Sequence, residues 1–150
     1  MRINTKVRYG VRLMADIATQ CKNGPVAVKD VAARQAISKV YLSQLAGALK
    51  HAGLLKSVWG NRGGFVLSRP ASTIRLRDVL EAVDGPLGLL ECLEDPGCCP
   101  RAGSCTCRSV WKAVNEAILA VLDKYTLEDL EEPESAPVSR VIALSGKGGY

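Results

Sequence analysis

At 150 residues, with 47% hydrophobic residues and a formal net charge of +5, the chain fits one globular domain or a small domain with an appendage. That apolar content excludes disorder throughout, and no apolar run approaches the ~20 residues that span a bilayer, Val114 to Leu122 being broken by Asn115 and Glu116. The N-terminus, Met-Arg-Ile-Asn-Thr-Lys, lacks the apolar core and cleavage site of a signal peptide, so a cytoplasmic protein without a membrane partner is expected.

The charge is unevenly placed. Residues 1 to 80 carry 14 Lys+Arg against 3 Asp+Glu, a net of +11, and residues 81 to 150 carry 6 against 12, a net of −6. A polyanion is the natural partner for the basic half. One histidine, with no legible paired acid, nucleophile or phosphate-cradling motif, argues against an enzyme.

Taken in chain order, Asn4 is placed to cap a first helix in which Val7, Val11, Met14, Ile17 and Ala18 recur at helical spacing until Lys22-Asn23-Gly24-Pro25 stops it. A second helix fits Lys29 to Gln35, with Val28, Val31 and Ala32 inward. A third fits Ser38 to His51, capped by Ser38 and ended by Gly53. Only Ala36-Ile37 separates the last two, so they cross steeply, as in a helix-turn-helix. Leu54 to Val58 and Phe65 to Ser68 then read as strands of a hairpin wing, around a loop whose glycines allow positive φ.

After Arg69-Pro70, Leu76, Val79, Leu80 and Val83 mark a fourth helix ended by Asp84-Gly85-Pro86. A long helix follows from Arg108 to Lys124, with Val110, Trp111, Val114, Ile118, Val121, Leu122 and Tyr125 on one face. The fold class is thus mainly α with a small β-hairpin wing. A winged helix-turn-helix occupies 1–85, a cysteine-rich loop 86–107, the long helix 108–130 and a disordered, Pro/Ser/Gly-rich tail 131–150.

In the third helix Leu42, Leu45 and Leu49 form an inward stripe, leaving Ser38, Lys39, Ser43, Gln44 and Lys50 as its polar residues, the first four facing double-stranded DNA. Gln44 can bond adenine through two hydrogen bonds; Ser38, Lys39 and Ser43 lie where phosphate or base contacts are common, and Tyr41 packs or touches the backbone. Arg62, between glycines of the wing, can approach phosphate or the minor groove. Trp59 is odd in so exposed a loop, and sequence does not choose its role. His51 fits a helix C-terminus better than a ligand.

Five of the six cysteines, Cys92, Cys98, Cys99, Cys105 and Cys107, crowd into 16 residues; Cys21 stands apart as a small apolar residue. In a reducing compartment such crowding favours a soft-metal or redox site over disulfides. Gaps of five residues, from Cys92 to Cys98 and from Cys99 to Cys105, favour an iron–sulfur cluster over zinc or a metal-free thiol switch.

The span from Met1 to Leu130 resembles the IscR- and NsrR-like winged-helix regulators of the Rrf family. The resemblance is carried by Arg8-Tyr9-Gly10 with Leu13, Ile37-Ser38, Tyr41-Leu42 with Gln44-Leu45, Gly53-Leu54-Leu55, Gly60 with Gly63-Gly64-Phe65, Ala82-Val83-Asp84-Gly85, and Cys92, Cys98, Cys105 and Trp111. It implies a homodimer joined through the long helix at 108–124. It also implies a cluster, 2Fe-2S ahead of 4Fe-4S, held by three cysteines and a variable fourth ligand. The chain departs from the family pattern in two places. Six residues separate Cys98 from Cys105, so Cys99 competes for the middle position. Arg108 stands where cluster-supply regulators carry a histidine, with Cys107 one residue earlier.

The expectation is a homodimeric DNA-binding transcriptional regulator, a repressor, that senses cluster status, redox state or nitric oxide. Ordering of residues 91 to 107 by the cluster would reposition wing and recognition helix, on a roughly palindromic operator with half-sites one or two helical turns apart. Rival expectations are a metal-free or zinc-binding thiol-responsive repressor of the same fold, and an iron–sulfur carrier that binds no DNA.

Overall fold

The structure is a computed structural model that describes residues 3–131. The tail expected to be disordered lies outside the described residues from 132 onward. Its first residue, Glu131, is described, and its carboxylate accepts a hydrogen bond from Lys22.

Helix α1 (Thr5–Gln20) begins where the sequence signals it: the Asn4 side chain accepts from the Val7 amide at 2.8 Å. The Asn4 amide also donates to Asp84 at 2.8 Å, tying this end to the end of α4. Val7, Gly10, Leu13, Met14, Ile17 and Ala18 are buried, a repeat of three and four residues that points one face inward. A single 3-10 turn over Cys21–Asn23 and Gly24 at φ 120° end the helix.

Helices α2 (Val28–Gln35) and α3 (Lys39–His51) follow. The turn between them is made by Ala36, a non-glycine residue held at φ 52° and ψ 46°, in a left-handed conformation. Buried Ile37 anchors it, its amide donating to Ala32 O at 3.1 Å. Ser38 occupies the N-cap position of α3, but its side chain makes no capping bond, contrary to expectation. Ser38, Lys39 and Val40 are all exposed, so water can serve the first amides of α3 and no side-chain acceptor is required.

Strands β1 (Leu55–Val58) and β2 (Gly64–Leu67) pair antiparallel, Leu55 opposite Leu67 and Val58 opposite Gly64. Leu54 and Ser68, the outer residues of the expected strands, are joined by a 3.0 Å bond from the Ser68 amide. Helix α4 (Leu76–Asp84) buries Val79, Leu80 and Val83 and stops at Gly85, φ 89°. The four-residue helix α5 (Glu91–Glu94) and a 3-10 turn at Pro96–Cys98 fill the cysteine loop. Helix α6 (Thr106–Lys124) starts two residues before the expected Arg108, so Cys107 sits on its first turn and not in the loop.

One core joins α1, α3, α4 and the base of the hairpin, with Leu13, Met14, Ile17, Leu42, Leu49, Leu55 and Ile74 fully enclosed. After α6 the chain returns to this core. Leu76 donates to Tyr125 O at 2.9 Å, the Leu127 amide donates to Ile74 O at 3.0 Å, and Leu127 is fully buried.

A glycine in mid-helix needs a reason, since it costs ~0.5–1 kcal/mol against alanine. At Gly10 the reason is α4: a β-carbon there would lie 3.0 Å from Val83 Cγ1. Gly10→Val is expected to destabilise the chain by about 1–3 kcal/mol through overpacking. In urea unfolding, combining it with Val83→Ala should cost less than the two single losses added together, since the second change vacates the contested space.

Candidate functional site

Asp16 is the buried charge among the described residues, with a side chain 4% exposed. It lies on α1 among Leu13, Met14 and Ile17, and accepts from Arg34 Nε at 3.1 Å, Arg34 NH2 at 2.5 Å and Gln35 Nε2 at 2.9 Å. Gln35 accepts in turn from Arg12, at its side-chain oxygen (3.0 Å) and its carbonyl (2.6 Å). The Asp16 hydrogen bonds raise the pKa of Arg34 above its ordinary value. The network clamps the last turn of α2 to α1, one residue before Ala36. Beside it the Tyr9 ring packs edge-on to Tyr41 of α3 at 5.9 Å, with the Arg12 guanidinium 5.6 Å from the Tyr9 ring centroid. The angle at which α3 leaves the turn is thus fixed by α1.

Helix α3 divides as its sequence implied. Leu42, Leu45, Ala46 and Leu49 are buried, while Ser38, Lys39, Ser43, Gln44 and Lys50 are exposed. Tyr41 is half-buried against Tyr9, and the Ser43 hydroxyl donates to Lys39 O at 2.9 Å, so its proton is engaged within the helix. His51 is the exposed last residue. Val40, which the sequence pattern does not single out, is 70% exposed beside Lys39 and Ser43 on the outer surface. Its signal is an apolar β-branched residue outside the inward stripe.

The wing is pinned to the chain just before α2 by a bridge between Val26 and Phe65, with amide bonds of 2.9 and 2.8 Å. Its glycines have separate duties. Gly60 takes φ 126°; Gly64 is needed for close approach, since a β-carbon would lie 2.4 Å from Val26 O, and at Gly63 one would lie 2.5 Å from Val58 O. Expected positive φ is therefore confined to the first of the three. Arg62 is exposed at the tip, and Trp59 is 92% exposed. A cleft of about 580 Å³ separates the tip from the start of α2, lined by Lys29, Asp30, Trp59 and Arg62 among others.

Charge is arranged around these elements. Lys29, Lys39, Lys50, Lys56 and Arg62 enter no ion pair among the described residues, whereas Arg69, Arg75 and Arg77 near α4 are paired with Asp78, Asp123 and Glu81. Arg8 and Arg12 of α1 likewise enter no ion pair among the described residues, so the free cations of the basic half are spread over α1, α2, α3 and the wing.

The cysteine loop docks on α6: the Leu89 amide donates to Asn115 Oδ1 at 3.0 Å, and Arg108 Nε donates to Cys92 O at 3.3 Å. Cys92 sits on α5, Cys98 and Cys99 at the 3-10 turn, Cys105 at the N-cap of α6 and Cys107 on its first turn. All are free thiols, Cys98 and Cys107 exposed and the others half-buried. Desolvation raises the pKa of the Cys98 thiol, helped by Glu91, Cys92, Asp95 and Cys99. The donor chemistry suits a soft metal centre, with five thiols between glycines and prolines. Among the described residues, however, no group of three or more Cys, His, Asp or Glu side chains is gathered as a cage.

No residue of α6 is buried. Val110 is 62% exposed and Trp111 46%, and Val114, Ala117, Ile118, Val121 and Leu122 line an open apolar hollow of about 410 Å³. No helix among the described residues is long and apolar enough to cross a membrane.

Comparison with known proteins agrees with this architecture. The model of the Rrf2 family, described as an iron-dependent transcriptional regulator, matches residues 3–133. The chain is 38% identical over 130 residues to the protein rrf2 of Nitratidesulfovibrio vulgaris, covering 87% of each chain. Among solved structures it is similar to CymR, titled the global cysteine regulator of B. subtilis, with 37% identity and a TM-score of 0.73 over 87% of this chain and 96% of that one. It is also similar to IscR of T. potens, with 33% identity and a TM-score of 0.72 over 100% and 95%. With a matching family model across all of the described residues, the chain belongs to the Rrf2 family of winged-helix, DNA-binding transcriptional regulators, which are not enzymes.

Proposed function

We propose that the chain works in the cytoplasm as a homodimer that reads a roughly palindromic operator with α3 and the wing, under control of a cysteine-ligated iron–sulfur centre in the loop of residues 86–107. Placement carries this reading: five thiols occupy the one segment that is hydrogen-bonded to α6 at both Leu89–Asn115 and Cys92–Arg108. Cys92, Cys98 and Cys105 would hold the centre, with Cys99 or Cys107 as alternative or fourth ligand. Bound there, it supplies a response to iron supply, redox state or nitric oxide.

The chain's own groups supply the rest. Gln44 offers a paired donor and acceptor to adenine, Ser38, Lys39 and Ser43 line its approach, Tyr41 supports the helix against Tyr9, and Arg62 meets phosphate from the wing. Rrf2 regulators bind DNA as dimers, and the apolar surface of α6 is the natural seam for the second copy. Closure of the loop around a centre would shift the start of α6, and with it the separation of the two reading helices.

A metal-free or zinc-binding thiol-responsive repressor is the second reading, favoured by the similarity to a cysteine regulator and by the ungathered thiols. Anaerobic purification separates the two. The first expects iron and acid-labile sulfide with a visible spectrum, lost in Cys92→Ser and Cys105→Ser together with a change in DNA affinity. Protein without iron or sulfide, whose mobility shift ignores both substitutions, contradicts it.

The dimer seam and the reading residues have their own tests. Val114→Glu with Val121→Glu should yield a monomer by light scattering, since two charges would have to be desolvated at the seam. Arg62→Ala should lower the slope of log affinity against log salt by about one, while Gln44→Ala should cost about 1–3 kcal/mol at one adenine and leave the slope unchanged, both by fluorescence anisotropy.

A further inference from the structure

The wing closes without help from its largest side chain. The Gly63 amide donates to Gly60 O at 2.9 Å, Gly60 supplies the positive φ, and Val58 pairs with Gly64. Trp59, between Val58 and Gly60, is 92% exposed and takes part in no aromatic pair among the described residues. An indole left in water is an apolar surface with no duty inside the chain. It projects from the same tip as Arg62 and borders the cleft toward Lys29 and Asp30, so the surface around it carries a net positive charge.

We infer that Trp59 is a DNA-reading residue, placing its indole edge-on in the minor groove beside each major-groove site of α3 and favouring A·T pairs there. A groove about 6 Å wide admits a planar ring on edge, with deoxyribose packed against its two faces. Indole Nε1 is a donor and never an acceptor. A·T pairs present only acceptors on their minor-groove edge, whereas G·C adds the guanine amino donor, which opposes the indole N–H. The ring loses little entropy on binding, having only two side-chain torsions, and it carries no charge, so it contributes affinity and base preference without releasing counterions. The inference rests on α3 and the wing facing DNA together.

The test is selection from a pool of randomised 30-base-pair duplexes by the full-length protein and by Trp59→Ala, followed by anisotropy on the selected duplex across a salt series. Because Trp59 is 92% exposed, Trp59→Ala should keep the circular dichroism, melting temperature and dimer mass of the parent. The parent is expected to enrich A·T pairs beside each half-site and Trp59→Ala to lose that enrichment. Trp59→Ala should bind the selected duplex about tenfold more weakly at an unchanged salt slope, and Trp59→Phe, which keeps a ring but no donor, should recover affinity without the A·T preference. Equal enrichment and affinity in Trp59→Ala overturns the inference, as does a loss of dimer mass, which would assign the indole to the second copy. If Gln44→Ala and Arg62→Ala weaken binding while Trp59→Ala does not, this inference alone fails; if none of the three matters, the DNA-facing reading of the surface fails with it.

Discussion

A buried carboxylate on α1 sets the geometry on which the rest depends. Asp16 is enclosed among apolar side chains, and a charge so placed is tolerated only with full hydrogen-bonding partners. Those partners are the last two residues of α2, Arg34 and Gln35, and the second of them also receives Arg12. The chain then turns at Ala36, where any residue with a β-carbon is held at some cost, and α3 departs. Apolar packing alone would let α2 and α3 slide over α1 with small penalty. A bidentate guanidinium on a buried carboxylate fixes direction as well as contact, which is what a helix that must meet base edges requires.

Two further constraints attach function to that frame. The wing is held by main-chain bonds at Val26 and Phe65, and Gly64 exists because the strand passes too close to Val26 for any side chain. Electrostatics divides the molecule: Lys29, Lys39, Lys50, Lys56 and Arg62, with Arg8 and Arg12 of α1, enter no ion pair among the described residues, while Glu81 and Asp123 neutralise arginines near α4 and Glu91, Glu94 and Asp95 lie in the cysteine loop. In that loop Glu91 and Asp95 help to hold the Cys98 thiol protonated, so a bound cation, which favours thiolate, would change the local charge as well as the local fold.

Much of this was legible in the sequence because amphipathic period and turn residues act locally. Asn4, Gly24, Gly53 and Gly85 mark helix ends, and the leucines of α3 define its inner surface. What escaped depends on partners distant in sequence. Asp16 reads as a mere interruption of an apolar run until Arg34 and Gln35 come to it from 18 and 19 residues away. Gly10 and Gly64 carry meaning only through Val83 and Val26. Ser38 matched a capping pattern but found its helix end open to solvent, and the spacing of Cys92 to Cys107 names thiol chemistry without choosing among five candidate ligands.

The central claim, that the Asp16 joint orients the recognition helix, is tested most directly by DNA binding of Asp16→Asn. Asparagine keeps the volume but turns an amide donor toward the donors of Arg34, removing an interaction of about 2 kcal/mol and leaving a margin for folding. Anisotropy on a 30-base-pair duplex, with folding and dimer mass checked on the same sample, should show a folded dimer whose affinity falls at least tenfold. A folded dimer that binds as tightly as the parent would contradict the account.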